Sequence, residues 1–223
     1  MLFSSLPLEL VHEIINVVQD PTTLSSCSLV SSAWLPSARA SRWRTLILNK
    51  RGSSKTTYAR FYAAPHLFPY VRSLKLSCER SSWISWDDEL QHLVPLIQNL
   101  RNAEHVELTG VDLVWQPEPV LCALDALLHA PTTRYVVLRR CLVPAHVLTF
   151  FGAKLRDLEL LDVDIDSEAS VCGFAISAKP RRVVIQGSNI EQVVDWLAPK
   201  LLEDSLFELL RTTSRLSNTF WVL

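Results

Sequence analysis

Cysteine and histidine are the residues of this sequence whose side chains are best suited to bind a metal or to act in catalysis. The five cysteines are odd in number, lie 19 to 51 residues apart and include no C-x-x-C pair. Because zinc modules need closely spaced ligands and disulfide frameworks need an even set, we expect free thiols in a reducing compartment. The six histidines show no H-E-x-x-H or other ligand spacing. The sequence therefore predicts no metal site and no cofactor.

Two short segments begin or end like ligand-binding loops but lack residues that such loops need. Residues 52–57 end like a P-loop, yet no glycine precedes Lys55 and the upstream glycine is missing. Residues 162–166 begin like an EF-hand loop, but Ser167 and Gly173 stand at its sixth and twelfth positions. We interpret them as a basic loop and as an acidic turn after a strand. No catalytic-serine or catalytic-cysteine signature occurs, so we predict no catalytic residues and no enzyme, with an α/β enzyme as the remote alternative.

The composition indicates a folded chain rather than a disordered one. Of the 223 residues, 48% are hydrophobic and 20% are charged, which provides enough apolar surface to offset the entropy lost on folding. The apolar N-terminus carries Glu9 and Glu13 but no basic residue, so we do not interpret it as a secretory signal. No stretch has the pattern of a membrane-spanning helix. We expect a cytoplasmic and/or nuclear protein that has no membrane partner.

Charge is distributed in three blocks along the chain. Residues 1–34 contain no Lys or Arg, residues 35–78 contain nine and no acid, and residues 79–223 contain 13 basic and 20 acidic side chains. The middle block is interpreted either as a scattered solvated surface or as a patch for an acidic partner or a phosphate. Because the net charge is only −1 and no RNA-binding motif occurs, we predict that nucleic acid is not a partner.

The N-terminal residues carry the pattern of three short helices. Apolar side chains recur at helical spacing between residues 10 and 18. Asp20 and Pro21 then predict the N-cap and the first position of a second helix. Ser31 and Ser32 predict the cap of a third helix that continues through Arg39 to Arg44.

This segment has more apolar side chains than a bundle of about 45 residues can bury. The surplus predicts a surface that a partner covers. The residues that form this surplus are Leu6, Pro7, Ile14, Leu24, Val30 and Trp34.

The order and spacing of these residues resemble an F-box over about a fifth of the chain. The resemblance is carried by Leu-Pro-Leu-Glu-Leu at 6–10, Ile-Ile at 14–15, Leu24, Cys-Ser-Leu-Val-Ser at 27–31, Trp34 and Arg-Trp-Arg at 42–44. It implies a binding role on the Skp-type adaptor of cullin–RING (SCF) ubiquitin ligases. By position, the resemblance implies that Leu6 and Pro7 insert at the adaptor surface and that the apolar contact is lined by Ile14, Leu24, Val30 and Trp34. We expect Ile15 and Val18 to lie in the intramolecular core instead.

Five later segments alternate apolar and polar residues, which is the pattern of short strands. They are residues 73–77, 105–109, 135–139, 157–161 and 182–186. Helix signals lie between them: a capping box at 85–88 before residues 90–100, Pro117 before 120–129, Pro144 before 145–151 and Asn189 before 190–197.

A strand–turn–helix unit that recurs every 22–32 residues predicts a divergent leucine-rich-repeat-like solenoid, within the α/β fold class. A compact, doubly wound α/β domain is the alternative. The lack of a Gly-rich phosphate loop and the clean polar–apolar alternation favour the solenoid.

We therefore predict three segments. The F-box helices occupy residues 1–48, a basic connector occupies 49–70, and the repeat-like region occupies 71–223. Within that region, residues 200–216 predict a capping helix. The apolar residues 219–223 are interpreted as a last edge strand or as the end of a truncated product.

The outward strand positions of such a solenoid share one face, which is the predicted site for recognising an unknown target protein. The charged and aromatic members proposed to bind are Lys75, His105, Glu107, Tyr135, Arg139, Asp157, Glu159 and Arg182. The predicted function is that of the substrate-recognition subunit of an SCF-type E3 ligase, which holds a target near a ubiquitin-conjugating enzyme. The alternative is a repeat-based interaction scaffold that does not act in ubiquitination.

Overall fold

The computed structural model confirms the predicted α/β class, with helices packed beside a mostly parallel sheet. It describes residues 7–49, 53–77, 87–114, 116–144, 154–166, 180–187 and 221–222. The helices are α1 (Leu8–Val17), α2 (Pro21–Val30), α3 (Leu35–Trp43), α4 (Ser53–Ala63), the 3-10 helix Pro65–Tyr70, α5 (Asp87–Gln98) and α6 (Glu118–Leu128). The strands are β1 (Thr45–Asn49), β2 (Ser73–Ser77), β3 (His105–Thr109), β4 (Tyr135–Arg139), β5 (Leu142–Pro144), β6 (Asp157–Leu161), β7 (Asp164–Asp166), β8 (Arg182–Gln186) and β9 (Trp221–Val222).

Helices α1 to α3 pack into a small three-helix unit, called here the helical unit. Its buried core consists of Val11 and Ile15 from α1, Leu24 from α2 and Ala38 from α3. Val18 packs against this core. The expectation that Ile15 and Val18 are intramolecular is therefore confirmed.

Helix α2 begins where the sequence predicts. The carboxylate of Asp20 accepts a hydrogen bond from the backbone N–H of Thr23 at 2.7 Å, and Pro21 occupies the first turn. The hydroxyl groups of Thr22 and Thr23 donate to the same carboxylate. These hydrogen bonds, that from Thr22 first, lower the pKa of Asp20 to about 2. The helix therefore has a charged N-cap that stays ionised in mildly acidic solution.

The serine cap predicted for the third helix is wrong. Ser31 is the C-cap of α2, and α3 begins at Leu35 with Trp34 as its N-cap. Pro36 fits in the first turn of α3 because the N–H groups of that turn have no acceptor within the helix. The helix ends at Trp43.

The main sheet has seven strands, and their order in space follows their order in the chain: β1, β2, β3, β4, β6, β8 and β9. The first six are parallel and β9 is antiparallel to β8. All five predicted strand segments are strands with the predicted bounds, and β1 precedes them in the chain. Strand β9 confirms the edge strand expected near the C-terminus.

The parallel register stacks apolar side chains into two buried rows on one face of the sheet. The first row consists of Leu46, Leu74, Val106, Val136, Leu158 and Val183. The second row consists of Leu48, Leu76, Leu108, Leu138, Leu160 and Ile185. Both rows belong to one large core, so each strand contributes the same two positions to it.

The segment predicted as a basic connector is part of this packed unit, which is a correction. Residues 53–63 form α4, and the 3-10 helix follows it. Phe61 and Leu67 from these helices lie in the same core as the strands, as does Val71. Because β1 also belongs to that core, the boundary predicted at residue 48 falls inside a strand of the sheet. The elements from β1 onward are called here the sheet unit.

Strands β3, β4, β6 and β8 are each followed by a residue with a left-handed backbone: Gly110, Arg140, Asp162 and Gly187. After two of these turns the chain forms β5 and β7, which pair as a second, two-stranded parallel sheet. A Cβ atom at Gly187, where φ is +136°, would lie 2.8 Å from the Cα of Asp162. Only glycine fits this close approach. The acidic turn predicted at residues 162–166 is confirmed only at its start: the chain turns at Asp162, but Asp164–Asp166 form β7.

Helices α5 and α6 confirm two of the predicted inter-strand helices, although each begins two or three residues and ends one or two residues earlier than predicted. Pro144, from which a helix was predicted to follow, is the last residue of β5. The remaining predictions lie outside the described residues. They concern Leu6, the cap residues 85–86, the helices at 145–151 and 190–197, and the capping helix at 200–216.

Candidate functional site

The helical unit leaves several large apolar side chains on its surface. The exposed fraction is 57% for Ile14, 65% for Val30 and 87% for Leu29. We call the exposed apolar residues of α1 and α2 the helical surface, which consists of Leu8, Leu10, Ile14, Val17, Leu29 and Val30. Leu10, Ile14 and Val17 lie within about 60° of one another around α1, so these three share one side of that helix.

Part of the helical surface forms a shallow open depression of about 470 Å³ on α1. It is lined by Glu13, Ile14 and Val17, together with Val18. Three of the four lining side chains are aliphatic, so a partner side chain that enters the depression must be mainly apolar.

The predicted adaptor contacts divide into surface and core positions. Pro7, the N-cap of α1, is exposed, and so are Ile14 and Val30. Trp34 is partly buried against the core of the helical unit. Leu24 is only 2% exposed in that core, so it has no surface to offer a partner and leaves the proposed contact set. Leu6 lies outside the described residues.

Leu29 is an exposed residue of α2 that was not among the predicted adaptor contacts, unlike Leu24 and Val30. At 100° per residue, Leu24 and Cys27 lie on one face, whereas Leu29 is about 140° and Val30 about 120° away from Leu24. The structure accordingly turns Leu24 and Cys27 toward the core and exposes Leu29 and Val30. A helical-angle calculation over the predicted helix would have separated Leu29 from Leu24, because about 140° lies between them.

The sheet unit presents a second surface, called here the sheet face, made by the first, third and fifth residues of each strand. All eight predicted target-binding residues occupy such positions, so the register assigns them to the same face. At its centre, Glu107 accepts from the ammonium group of Lys75 at 2.8 Å and lies 3.4 Å from the guanidinium of Arg139. Three adjacent strands thus contribute to one ion-pair cluster.

Two titratable groups in this cluster have shifted pKa values. Burial alone would raise the pKa of Glu107, whose side chain is 15% exposed, but the hydrogen bond and charge of Lys75, with Arg139, lower it below its usual range. Burial lowers the pKa of His105, although the negative charge of Glu107 acts in the opposite direction. At neutral pH, therefore, Glu107 is ionised and its charge is shared between two cations.

The remaining predicted target-binding residues extend this surface to either side of the cluster. The ring of Tyr135 stacks beside that of His105, with 6.3 Å between centroids. Asp157 and Glu159 are half-buried on β6, and Arg182 is exposed on β8. Side-chain contacts therefore involve five of the eight residues: Lys75, His105, Glu107, Tyr135 and Arg139. Strand register alone places Asp157, Glu159 and Arg182 on the same face.

Two outward positions of the sheet face are buried, which the alternation did not predict. Val137 and Val184 are each 6% exposed, and neither belongs to the large core on the opposite face. They flank Glu159 in the central row of the register. The sheet face is therefore polar around Glu107 and partly covered toward β8.

Among the described residues, no group of three or more His, Cys, Asp or Glu side chains is arranged to hold a metal ion. No disulfide joins Cys27, Cys122 and Cys141, and Cys78 and Cys172 lie outside the described residues. Within the described part of the chain, no helix is both long and apolar enough to cross a bilayer.

Comparison with known proteins assigns no family: no protein-family profile matches the chain, and no curated protein matches it.

Proposed function

We propose that the chain is a substrate-recognition subunit of an SCF-type (cullin–RING) E3 ubiquitin ligase. It binds the Skp-type adaptor through the helical surface and a target protein through the sheet unit. The observation that carries this proposal is the helical surface itself, because its exposed aliphatic side chains lie in a segment whose residue order resembles an F-box.

The energetics of burial support an interface at this surface. Full burial of a Val, Leu or Ile side chain contributes about 1.5–3 kcal/mol. Ile14, Leu29 and Val30 are more than half exposed, so most of this contribution remains to be gained on binding. A few such side chains can contribute most of the binding free energy of a protein interface.

A leucine-rich-repeat-like solenoid is the finer fold that we infer for the sheet unit. Its support is the chain-order sequence of six parallel strands, the same two buried positions in each strand, and the left-handed turn after four of them. A doubly wound α/β domain would reverse its strand order at a switch point. No such reversal occurs among the described strands.

The junction between the two units supports a mechanism by positioning. Only Arg44 separates α3 from β1. The ring of Trp43, the last residue of α3, packs edge-on against Phe61 of the sheet-unit core with 5.3 Å between centroids. The guanidinium groups of Arg42 and Arg60 lie 5.3 and 5.8 Å from the same ring. A packed junction keeps an adaptor and a target at a fixed separation, and that proximity raises the rate of transfer to target lysines.

The test is a pull-down with a purified Skp-type adaptor. We expect the wild-type chain to bind and Val30→Asp to lose most of the retained adaptor, because the substitution places a charge in the apolar contact. Ile47→Asp is the matched control, since Ile47 is a comparably exposed aliphatic residue on β1, away from the helical surface. Equal retention of the two variants would contradict the proposal.

A repeat-based scaffold outside ubiquitination is the second candidate. It is favoured by the ion-pair cluster around Glu107, which lies entirely on the sheet unit and needs no contribution from the helical unit. Absence of adaptor binding by the wild-type chain would support this candidate over the first.

A further inference from the structure

The residue that immediately precedes each of the six parallel strands is an arginine in five cases and a glutamate in one. We call these residues the arginine row: Arg44, Arg72, Glu104, Arg134, Arg156 and Arg181. They are far apart in the sequence, and three of the arginines come from the block whose net charge is negative. The fold alone assembles them.

Main-chain hydrogen bonds fix the spacing of this row. The carbonyl of Arg44 accepts from the N–H groups of Arg72 and Ser73 at 2.8 and 2.9 Å. The same paired bond recurs at every later step, ending with the carbonyl of Arg156 and the N–H groups of Arg181 and Arg182. Adjacent members are therefore one strand spacing apart, about 4.8 Å, and the row extends over about 24 Å.

The guanidinium groups of the row are available for binding. All five arginines are exposed. Arg72 lies 3.3 Å from Glu104, in a solvent-exposed pair that contributes little to stability. Within the described residues, Arg44, Arg134, Arg156 and Arg181 make no side-chain ion pair.

The surroundings of the row add to its positive charge. Among the described residues, three further cations lie within two residues of its members, namely Arg42, Lys154 and Arg182, and the acidic residues in the same range are Glu104 and Asp157. Eight described cations against two described carboxylates give this edge a charge of +6, whereas the whole chain carries −1. Charge is thus segregated to the edge of the sheet where the parallel strands begin.

We propose that the arginine row binds an extended acidic segment of a partner protein. Guanidinium groups pair with carboxylates through parallel hydrogen bonds, and a line of single arginines at regular spacing matches charges spread along an extended chain. A lone phosphate is better held by several arginines that converge on one point. A single-stranded nucleic acid would add stacking on aromatic side chains, and the aromatic rings in the strand positions next to the row are His105 and Tyr135 alone.

This inference deepens the proposed function by naming the chemistry of the target, and it rests on that function for the role of the bound protein in ubiquitination. The binding itself does not require the adaptor. The two ideas can therefore fail separately.

The test is fluorescence anisotropy with the full chain and a labelled twelve-residue peptide of alternating Glu and Ser. We expect saturable binding that weakens as the salt concentration rises. A control peptide of the same length, in which Gln replaces every Glu, should not bind comparably. Arg134→Glu/Arg156→Glu, at the centre of the row, should weaken binding at least tenfold. The control Lys55→Glu/Arg140→Glu makes the same change in net charge at exposed cations off the row and should stay within twofold of wild type. Melting temperatures establish that both variants fold.

Three results would overturn the inference. They are equal binding of the acidic and neutral peptides, an equal loss in the control variant, and preferential binding of a neutral peptide with one phosphoserine or of a ten-nucleotide oligouridine. We expect Arg134→Glu/Arg156→Glu to bind the adaptor as wild type does, because the arginine row lies outside the helical surface. A wild-type chain that binds the acidic peptide but not the adaptor would refute the proposed function and leave the arginine-row proposal standing.

Discussion

The helical unit and the sheet unit differ in how much of their apolar side-chain surface they bury. The helical unit buries four hydrophobic residues and leaves six large ones exposed on α1 and α2. The sheet unit stacks its strand side chains into two continuous buried rows and presents ion pairs and arginines to solvent. The difference indicates that apolar surface in the first unit and charge in the second are reserved for partners of different chemistry.

Neighbouring isoleucines of α1 provide the sharpest test of this contrast within one helix. Ile15 is 1% exposed and Ile14 is 57% exposed. We expect Ile15→Ala to cost about 2–5 kcal/mol in the free energy of unfolding, because it leaves a cavity in the core of the helical unit. Ile14→Ala should change stability by less than about 0.5 kcal/mol. Urea denaturation of both variants checks this, and equal losses would contradict the assignment of core and surface.

Substitution of Gly187 tests whether the turn that follows β8 requires glycine. Gly187→Ala should lower the free energy of unfolding by about 1–3 kcal/mol, since the new Cβ meets the backbone of Asp162 and the residue has a positive φ. Gly110→Ala is a useful comparison, because its φ of 67° lies in the region that Arg140 and Asp162 already occupy. Thermal unfolding should show the smaller loss for Gly110→Ala; the reverse order would contradict this account of the turn.

Asp20 tests the cap that holds α2, which carries Leu29 and Val30. Hydrogen bonds from Thr22 and Thr23 lower the pKa of this carboxyl from 3.8 to about 2. A depressed folded-state pKa contributes stability above the unfolded value and loses it as the pH falls from about 3.8 through about 2. Asp20→Ala should therefore melt below wild type at pH 7, and the gap should close toward pH 2. A gap that persists unchanged at pH 2 would show that ionisation of Asp20 is not its cause.

The ion pair of Lys75 with Glu107 should have the smallest effect on stability. We expect Lys75→Met to change the free energy of unfolding by about 0–1 kcal/mol, because the lysine side chain is 44% exposed. The same variant should raise the pKa of Glu107, since it removes the hydrogen bond and the nearest cation. Carboxyl chemical shifts followed by NMR during acid titration check this, and an unchanged midpoint would indicate that Arg139 alone governs Glu107.

The two units also differ in how far the sequence predicts them. Alternation located β2, β3, β4, β6 and β8 to the residue, because the second and fourth residues of each lie in the core while the first and fifth do not. It did not reveal α4, whose sequence is weakly amphipathic and whose place is set by Phe61 packing on the distant core. Nor did it separate Leu24 from Leu29, because both are apolar and only the helical angle distinguishes them.

The arginine row shows why a linear charge count is insufficient. Arg134, Arg156 and Arg181 lie in a block with an acidic excess, so counting charges along the chain hides them. They become neighbours only when parallel pairing aligns the residues before each strand. Aligning the predicted strands at their first residues would have revealed the row.

The central claim is that the helical surface binds the Skp-type adaptor, and isothermal titration calorimetry of the full chain with the purified adaptor tests it most directly. We predict a one-to-one complex for wild type and for Ile47→Asp, and an affinity at least tenfold lower for Ile14→Asp, which corresponds to about 1.4 kcal/mol. A wild-type chain that does not bind the adaptor, or an Ile14→Asp variant that binds as tightly as Ile47→Asp, would contradict the claim.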